Sequence, residues 1–289
     1  MNEIKVSEVF YSAQGEGRFV GVPSIFFRTF GCNFTCGSFG MARGEKTTEP
    51  DDIAKNVHLY KTFEELPLVT KGCDSYPSWH PAYKHLSPTY TVEQAIDAML
   101  ALTPNNDWIQ KNGNDVHLVI TGGEPLLGWQ QLYPALLGHK RMARLENLTF
   151  ETNGTQPLHD KFHSYLFEEW TRFGRDRDYL TFSVSPKLSA SGEKWDKAIK
   201  PDVVVEYQSI GHTYLKFVID QTKDFDEVDT AVKEYRAAGF GGMVFVMPVG
   251  GTDKAYFANS KHIADEALLR GYRYSPRLHI DIWGNAWSK

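Results

Sequence analysis

Cysteine is scarce in this chain, with three among 289 residues, and such a small odd number argues against a disulfide framework. Long apolar runs are missing as well, because none approaches the roughly 18 residues that a membrane-spanning helix needs. The first residues contain no signal-peptide core, so we expect a protein of the reducing cytoplasm. Positive charge is not in excess, since 31 Lys and Arg oppose 36 Asp and Glu for a formal net charge of −5. We therefore expect neither a membrane partner nor direct nucleic-acid binding.

The chain does contain enough apolar residues, 42%, to bury a sizeable core. Short apolar and β-branched segments predict strands at 24–30, 116–121, 148–152, 181–184, 214–219 and 243–247. Most are followed by amphipathic patterns, which predict helices at 92–102, 130–143, 226–238 and 254–270. Thr91 and Gln94 form a capping-box signature at the first of these helices. Alternating strands and helices predict a mostly parallel α/β sheet, and six such units predict an open, partial (β/α)6 barrel.

Two segments depart from this alternation. Residues 37–90 are rich in glycine and charge at the start and in aromatics and histidine at the end, with one short helical pattern at 51–60. A stretch of this length inside a compact domain usually carries a function or structure of its own. We interpret it as an insertion in a single domain that spans residues 1–289. Residues 277–283 predict a C-terminal edge strand, with His279, Asp281 and Trp283 on one of its faces.

Glycine and polar side chains follow four of the predicted strands. They stand in the runs Thr121-Gly122-Gly123-Glu124-Pro125, Glu151-Thr152-Asn153-Gly154, Ser185-Pro186-Lys187 and Met247-Pro248-Val249-Gly250. Each run by itself is also compatible with an ordinary strand-to-helix turn. The carboxyl ends of parallel strands meet on one rim, however, and ligands bind at that rim in such folds. Together the four runs predict a binding site there.

Gln14 and Glu16 form another polar feature, near the N-terminus. In an extended backbone their side chains point the same way, and their amide and carboxylate could pair with the edge of a planar heterocycle. Arg28, close to the end of the first predicted strand, could bind a carboxylate through two hydrogen bonds. A polar turn beside a surface arginine is the alternative interpretation of these residues.

Cys32 and Cys36 follow the first predicted strand, and Cys73 lies far downstream. A four-iron cluster that is held by three thiolates leaves one iron open, and that iron can bind and cleave a substrate. If Cys73 joins the other two, the chain is predicted to be a radical enzyme. If Cys73 is an unrelated thiol, the cluster is absent and the cysteines bind zinc or nothing.

Taken together, these motifs resemble the radical S-adenosylmethionine superfamily, and within it the family of 7-carboxy-7-deazaguanine synthases. The resemblance rests on the runs Gln14-Gly15-Glu16-Gly17, Arg28, Gly31-Cys32-Asn33 and Thr121-Gly-Gly-Glu-Pro. In the superfamily motif C-x-x-x-C-x-x-C the third cysteine would stand where this chain has Phe39. Cys73 is followed by Asp74-Ser75, much as the family's third cysteine is followed by Asp-Thr. The resemblance thus implies 36 residues inserted between the second and third ligands, and the cost of closing such a loop grows only logarithmically with its length.

The resemblance implies the partial barrel of the radical S-adenosylmethionine type and a set of site residues. It implies a 4Fe-4S cluster on Cys32, Cys36 and Cys73, and Mg²⁺ on Ser75. The implied substrate-binding residues are Gln14, Gly15, Glu16, Arg28 and Thr121. Those implied for binding S-adenosylmethionine are Asp74, Gly122, Gly123, Glu124, Glu151, Ser185, Lys187, Met247, Pro248, Val249 and Gly250. Tyr76 or Trp79 would replace the aromatic residue that the family has beside the adenine.

The implied reaction is that of a carbon–nitrogen lyase. A 5′-deoxyadenosyl radical removes a hydrogen atom from 6-carboxy-5,6,7,8-tetrahydropterin, and ring contraction with loss of ammonia yields 7-carboxy-7-deazaguanine for a queuosine-type or DNA-modification pathway. A homodimer and an electron donor such as flavodoxin are implied as partners. Two other hypotheses stay open. One is a glycyl-radical-type activating enzyme that acts on a partner protein, and the other is a cluster-less binding protein.

Overall fold

A nine-stranded sheet organises the protein, and the computed structural model describes residues 3–170, 177–250 and 252–289. The strands are β1 (Glu3–Ala13), β2 (Pro23–Thr29), β3 (Thr89–Thr91), β4 (His117–Gly122), β5 (Leu148–Thr152), β6 (Leu180–Val184), β7 (His212–Ile219), β8 (Val244–Pro248) and β9 (Arg273–Tyr274). Their spatial order is β3-β1-β2-β4-β5-β6-β7-β8-β9. The long β1 is antiparallel to β2 and β3, whereas each pairing from β2 through β4 to β9 is parallel. The sheet is therefore open, with β3 and β9 at its edges.

Nine α-helices accompany the strands within the described ranges. They are α1 (Glu49–Ala54), α2 (Val92–Leu102), α3 (Tyr133–Leu137), α4 (Asp160–Ser164), α5 (Trp195–Ala198), α6 (Pro201–Ile210), α7 (Phe225–Ala237), α8 (Asp253–Leu269) and α9 (Leu278–Trp283). A π-helical turn, Tyr165–Trp170, continues α4, and short 3₁₀ helices lie at Gly17–Phe19, Lys140–Met142, Arg177–Tyr179, Ser189–Ser191 and Thr222–Asp224. In the part of the chain that the structure describes, no helix combines the length and the apolar character needed to cross a membrane.

The six predicted parallel strands are confirmed as β2, β4, β5, β6, β7 and β8, each within two residues of the predicted bounds. Helix α2 is confirmed with its capping box, because Gln94 N donates to Thr91 Oγ1 at 3.3 Å and Thr91 N donates to Gln94 Oε1 at 2.9 Å. The open α/β sheet of a partial barrel is thereby confirmed. The sequence prediction missed the strands β1 and β3 and the helices α4, α5 and α6. Tertiary packing decides such elements where the local pattern is weak.

The prediction of one helix over 130–143 is wrong. Pro134 lies in the first turn of α3, where its missing N–H costs nothing, so the helix begins at Tyr133. Gly138 then ends α3, and a 3₁₀ turn follows from Lys140. The helix predicted at 51–60 likewise begins earlier, as α1, and a 3₁₀ turn at Val57–Leu59 replaces its second half.

The prediction of a C-terminal strand over 277–283 is also wrong, because those residues form α9 after Arg277. Gly284 closes the helix in the left-handed conformation (φ 62°) and donates its N–H to Ile280 O at 2.9 Å. Ile280 is buried, and Leu278 N donates to Gly15 O at 3.0 Å, so the helix is docked against the N-terminal segment. The edge strand exists, but it is the two-residue β9 immediately before.

The segment from Cys36 to Cys73 and beyond forms its own small core. Its fully or nearly buried members are Leu66, Val69, Tyr76 and Tyr83, and Trp287 from the C-terminal tail packs against them. The 3₁₀ turns Phe63–Glu65, Tyr76–Ser78 and Pro81–Leu86 carry most of this segment's regular structure. The long stretch thus carries structure of its own, packed beside the rim at which the parallel strands end.

Candidate active site

One pocket, of about 260 Å³, lies where the parallel strands end. It brings together the N-terminal Gln14 segment, the cysteine segments and the ends of β4, β5, β6 and β8. All but two of the predicted site residues line it: Gln14, Gly15, Glu16, Arg28, Cys32, Cys36, Cys73, Asp74, Ser75, Thr121, Gly122, Gly123, Glu151, Ser185, Lys187, Met247, Val249 and Gly250. Glu124 and Pro248 do not line it. The four strand-end runs therefore meet at one place, as their position on a common rim predicts.

The three cysteines share one wall of this pocket. They pack together with Phe34 and the buried Phe39, the residue that replaces a cysteine in the superfamily motif. Cys36 has a left-handed backbone (φ 48°), a costly conformation for a residue other than glycine and one that clusters at functional sites. In the described ranges no three Cys, His, Asp or Glu side chains are gathered tightly enough for a single metal ion. A cluster spreads its ligands around a larger body than one ion does, and three thiols on one wall suit it.

Burial shapes the protonation of these thiols. Burial raises the pKa of Cys32 to about 12, and it raises those of Cys36 and Cys73 as well. Cys73 raises the pKa values of Cys32 and Cys36 further, and Asp74 raises that of Cys73, whereas the Lys187 ammonium lowers the pKa of all three. Thiols in such a site stay neutral on their own and ionise when a metal centre takes them as ligands.

The donor chemistry of this wall fits an iron–sulfur cluster. Thiolates are the ligands of such clusters, and a cation close by balances the negative charge. Lys187 supplies that cation, with Nζ donating to Ser185 Oγ at 3.0 Å. The backbone approaches closely as well, because a Cβ on Gly123 would lie 2.5 Å from Gly31 O and 2.7 Å from Cys32 Cβ. A side chain at position 123 would therefore displace the first cysteine.

Glu124 turns away from the pocket and supports its floor. The carboxylate is fully buried and accepts hydrogen bonds from Leu126 N at 3.0 Å, Thr152 Oγ1 at 2.7 Å and Asn153 N at 2.6 Å. Burial raises the pKa of Glu124, and these hydrogen bonds oppose that rise. The side chain joins the end of β4 to the end of β5, so its part in the site is to hold the loop that presents Gly122 and Gly123.

Glu151 joins residues that were predicted for the substrate. Its Oε1 accepts from Gln14 Nε2 at 3.2 Å, and its Oε2 accepts from Thr121 Oγ1 at 3.1 Å. Gln14 Oε1 in turn accepts from Glu16 N at 3.0 Å. These bonds connect the N-terminal segment to the ends of β4 and β5 and orient both polar ends of the Gln14 amide.

Glu16 is held by two buried cations. One of its oxygens accepts from Lys216 Nζ and the other from Arg277 Nε, the latter at 3.1 Å. Burial alone would raise the pKa of Glu16, but Lys216 and Arg277 lower it well below its usual value. The carboxylate is consequently ionised at neutral pH, which makes it an acceptor only.

Arg28 connects the substrate side to the predicted magnesium ligand. Its Nε donates to Glu8 Oε2 at 3.1 Å, and its Nη1 donates to Ser75 Oγ at 3.2 Å. Ser75 Oγ also lies 3.2 Å from Asp74 Oδ1. The hydroxyl and the carboxylate together present the oxygen donors that a hard cation prefers.

Several pocket residues escaped the sequence prediction. Lys216 stands in the middle of the apolar strand β7, where a charged residue is unusual, and that anomaly was the signal that could have identified it. Arg277 was predicted only as the start of a strand. Glu8 carries no local signal, because its partner Arg28 is 20 positions away in the sequence.

Aromatic and imidazole groups complete the lining. Trp79 lines the pocket, whereas Tyr76 is fully buried in the core of the inserted segment and donates to Pro67 O at 2.8 Å. Of the two aromatic residues proposed for the adenine contact, only Trp79 is placed for it. His279 lines the pocket from α9, and burial with nearby Arg277 lowers its pKa to about 4, so it is neutral at pH 7.

The C-terminal tail covers part of this pocket, and Asn285 to Lys289 contribute to its lining. Trp287 Nε1 donates to Leu66 O at 2.6 Å, and its ring lies against Phe63 with centroids 4.9 Å apart. Ser288 N donates to Glu8 Oε1 at 2.8 Å. The tail thus joins the inserted segment to β1, whose Glu8 accepts a hydrogen bond from Arg28.

Comparison with known proteins agrees with these features, although no protein-family model matches the chain. A 7-carboxy-7-deazaguanine synthase of Halobacterium salinarum is 29% identical over 304 residues, which cover 98% of this chain and 91% of that protein. One of Pyrobaculum aerophilum is 29% identical over 286 residues, covering 99% and 97%. The crystal structure of QueE from Escherichia coli superposes with a TM-score of 0.52 at 17% identity, over 94% of this chain and 93% of that one, and supports the fold. The recognition from motifs is confirmed, and the chain is similar to 7-carboxy-7-deazaguanine synthases over nearly its whole length.

Proposed function

We propose that this chain converts 6-carboxy-5,6,7,8-tetrahydropterin to 7-carboxy-7-deazaguanine with loss of ammonia, as a radical carbon–nitrogen lyase. The observation that carries the proposal is a single pocket that unites the three cysteine thiols with Gln14 and Glu16. The thiols suit a cluster, and the amide and carboxylate suit the edge of a heterocycle. Relatives of the same name align over nearly the whole chain.

Cys32, Cys36 and Cys73 would hold the 4Fe-4S cluster. When bound there, the cluster with S-adenosylmethionine supplies a 5′-deoxyadenosyl radical for hydrogen-atom abstraction. The protein's own part is to orient the substrate and S-adenosylmethionine and to enclose them in the pocket. The lining residues proposed for S-adenosylmethionine are Gly122, Gly123, Glu151, Ser185, Lys187, Met247, Val249, Gly250 and Asp74, with Trp79 as the aromatic contact. Glu124 and Pro248, which do not line the pocket, would support the residues that do.

The substrate would bind through the residues on the N-terminal side of the pocket. Glu16, ionised between its two cations, accepts hydrogen bonds from N–H donors of the pterin edge. The Gln14 amide is oriented by Glu151 and by the backbone, so it meets the ring in one direction. Arg28 faces the same pocket and provides a cation for the substrate carboxylate, while Gly15 and Thr121 line the remaining contact.

Magnesium would bind beside the substrate carboxylate. Ser75 Oγ and the Asp74 carboxylate offer oxygen ligands within the same pocket. Because Arg28 Nη1 already reaches Ser75 Oγ, a bound cation would share this corner with an arginine. A carboxylated substrate favours having both Mg²⁺ and Arg28 in this corner, since each of them neutralises part of its negative charge.

Reconstitution tests the proposal directly. The protein is purified without oxygen, supplied with iron and sulfide, reduced, and incubated with S-adenosylmethionine and carboxytetrahydropterin. We expect 7-carboxy-7-deazaguanine and 5′-deoxyadenosine as products. Cleavage of S-adenosylmethionine with no deazaguanine would favour the activating enzyme, and failure to retain iron would favour the cluster-less binding protein. The comparisons do not favour either of those alternatives.

The remaining expectations belong to the same proposal. A homodimer and a flavodoxin-type electron donor follow from the resemblance, and a cytoplasmic location suits three free cysteines and an oxygen-sensitive cluster. We also propose a single domain, residues 1–289, with the insertion at 37–90. Its support is that the inserted segment has a small core of its own, which packs beside the rim of the sheet.

A further inference from the structure

The position of Cys73 is a problem that the inserted segment creates. In a C-x-x-x-C-x-x-C motif the backbone itself keeps three thiols together, but here 36 residues separate Cys36 from Cys73. Two backbone hydrogen bonds hold the returning chain, from Gly72 N to Phe39 O at 2.8 Å and from Gly31 N to Ser78 O at 2.7 Å. They fix the ends of the loop 72–78. Within the loop Tyr76 N donates to Cys73 O at 3.2 Å and Ser78 N donates to Ser75 O at 2.9 Å, and side chains join its centre to the rest of the site.

The Arg277 side chain binds the centre of the loop 72–78. Its Nη2 donates to Asp74 Oδ2 at 2.6 Å, its Nη1 donates to Gly250 O, and its Nε donates to Glu16 Oε1 at 3.1 Å. The guanidinium is nearly buried, with 9% of the side chain exposed. One cation thus connects the residue after the third cysteine, the end of β8 and the carboxylate proposed to bind substrate.

Lys216 offers a natural comparison. It is buried in the same pocket, with 6% of its side chain exposed, and it binds the other oxygen of Glu16. Among the described ion pairs, Glu16 is its partner, whereas Arg277 pairs with both Glu16 and Asp74. The two cations therefore share the substrate side, and Arg277 adds the contact to the cysteine loop.

We propose that Arg277 is a positioning residue for the cluster, which fixes Cys73 by holding Asp74 and so replaces the short cysteine spacing that this chain lacks. The inference rests on the proposed function, since it takes Cys73 as the third cluster ligand. Its physical basis is that a charge-assisted hydrogen bond of good geometry orders a loop, and that one of the two partners, Arg277, is shielded from water, with 9% of its side chain exposed against 33% for Asp74. Through Glu16 the same residue would make cluster order and substrate binding depend on each other.

The test compares Arg277→Gln, Asp74→Asn and Lys216→Met in the full-length protein after anaerobic reconstitution. The readouts are iron and sulfide per chain, the rate at which a chelator removes iron, and the KM for carboxytetrahydropterin. We expect Arg277→Gln and Asp74→Asn each to speed iron loss about tenfold, in the range seen when outer-shell partners of a metal site are lost. Lys216→Met should keep the wild-type rate of iron loss while raising KM. The double variant Arg277→Gln/Asp74→Asn should lose iron no faster than Arg277→Gln alone, because that single variant already lacks the contact between Arg277 and Asp74.

Distinct outcomes separate the inference from the function on which it rests. Wild-type protein that retains no iron would sink the proposed function itself. If the wild-type protein retains its iron and both Arg277→Gln and Asp74→Asn lose iron at the wild-type rate, the inference about Arg277 is overturned while the proposed function stands. Equal iron loss in Lys216→Met would also overturn it, because the effect would then come from general damage around Glu16. If Arg277→Gln does not fold, Asp74→Asn removes the same contact from the other side and decides the question.

Discussion

Lys216 and Glu16 form a buried ion pair although 200 positions separate them in the sequence. The pair joins β7 to the segment after β1, although β2, β4, β5 and β6 lie between those two strands in the sheet. Both side chains are largely shielded from water, with 6% and 15% exposed, so solvent screens their attraction only weakly. Closure of the open sheet around the pocket thus includes a charge contact as well as packing.

This pair predicts how stability depends on pH. The folded-state pKa of Glu16 lies below its usual value of 4.5, so its ionised form contributes stability that is present above pH 4.5 and is lost as the pH falls further. We expect Glu16→Gln to destabilise the protein at pH 7 by about 2–4 kcal/mol, since two cations lose their charged partner. Urea unfolding of both proteins from pH 7 to pH 3 measures the gap, which should shrink below pH 4.5. A gap that stays constant over this range contradicts the assignment.

The third cluster ligand can be tested at two positions. Cys73→Ala should lose nearly all cluster iron and all cleavage of S-adenosylmethionine, because two thiolates do not hold a four-iron cluster firmly. Phe39→Leu is the matched control, since Phe39 occupies the motif position of the usual third cysteine and packs beside the thiols. That variant should keep its iron. Iron analysis and the absorption of the oxidised cluster are the measurements, and full occupancy in Cys73→Ala would remove Cys73 from the ligand set.

Gly15 leaves no room for a side chain. A Cβ there would lie 2.3 Å from His279 Nδ1 and 3.2 Å from His279 N, so the His279 ring would have to shift and the backbone of α9 to give slightly. We expect Gly15→Ala to cost about 1–3 kcal/mol of stability, as overpacking usually does, and to raise the KM for the pterin.

Gly128→Ala is the control for this prediction, because a Cβ at Gly128 meets no atom within 4 Å. Thermal unfolding and substrate kinetics of the two variants should separate clearly. If Gly15→Ala binds substrate as well as the wild type does, α9 and His279 do not form a fixed part of the site.

Trp287 should attach the C-terminal tail to the inserted segment. Trp287→Ala removes the hydrogen bond to Leu66 O and the packing on Phe63, and we expect faster amide exchange in residues 63–83 together with a higher KM, since the tail lines the pocket. Trp283→Ala, at a position 36% exposed, is the control and should change neither. Identical exchange patterns in the two variants would argue against a tail that closes the pocket.

Local signals were sufficient for much of this structure. The predicted bounds 148–152 and 92–102 agree to the residue with the observed strand and helix. A buried parallel strand and a capped amphipathic helix each produce a recognisable pattern of apolar residues within a short stretch of sequence. The strand over 277–283 failed for the opposite reason. Its alternating pattern fits a strand, but Gly284 in the left-handed conformation and the docking of Ile280 favour a helix.

Some residues of the candidate site could likewise be predicted from local sequence, and others could not. Residues that stand in glycine-rich or cysteine-bearing runs, such as Gly123 and Cys32, could be predicted because the run itself carries the chemistry. Arg277 and Glu8 could not, and the anomaly of a lysine in an apolar strand singles out Lys216 without indicating its partner. Each of the three acquires its role from a partner between 20 and 261 positions away. A linear pattern does not encode such pairings, which exist only after the sheet has formed.

The cysteines illustrate both halves of that division. Asp74-Ser75 after Cys73 indicates from sequence alone that a third ligand stands beyond a long insertion. That Cys73 lies on the same wall as Cys32 and Cys36 is a property of the folded chain, in which Arg277 holds the loop through Asp74. The chemical role of a residue depends on its type and on its neighbours in the sequence, so it can be predicted from the sequence. Whether distant residues meet in one site depends on contacts between segments far apart in the chain, and only the three-dimensional structure shows those contacts.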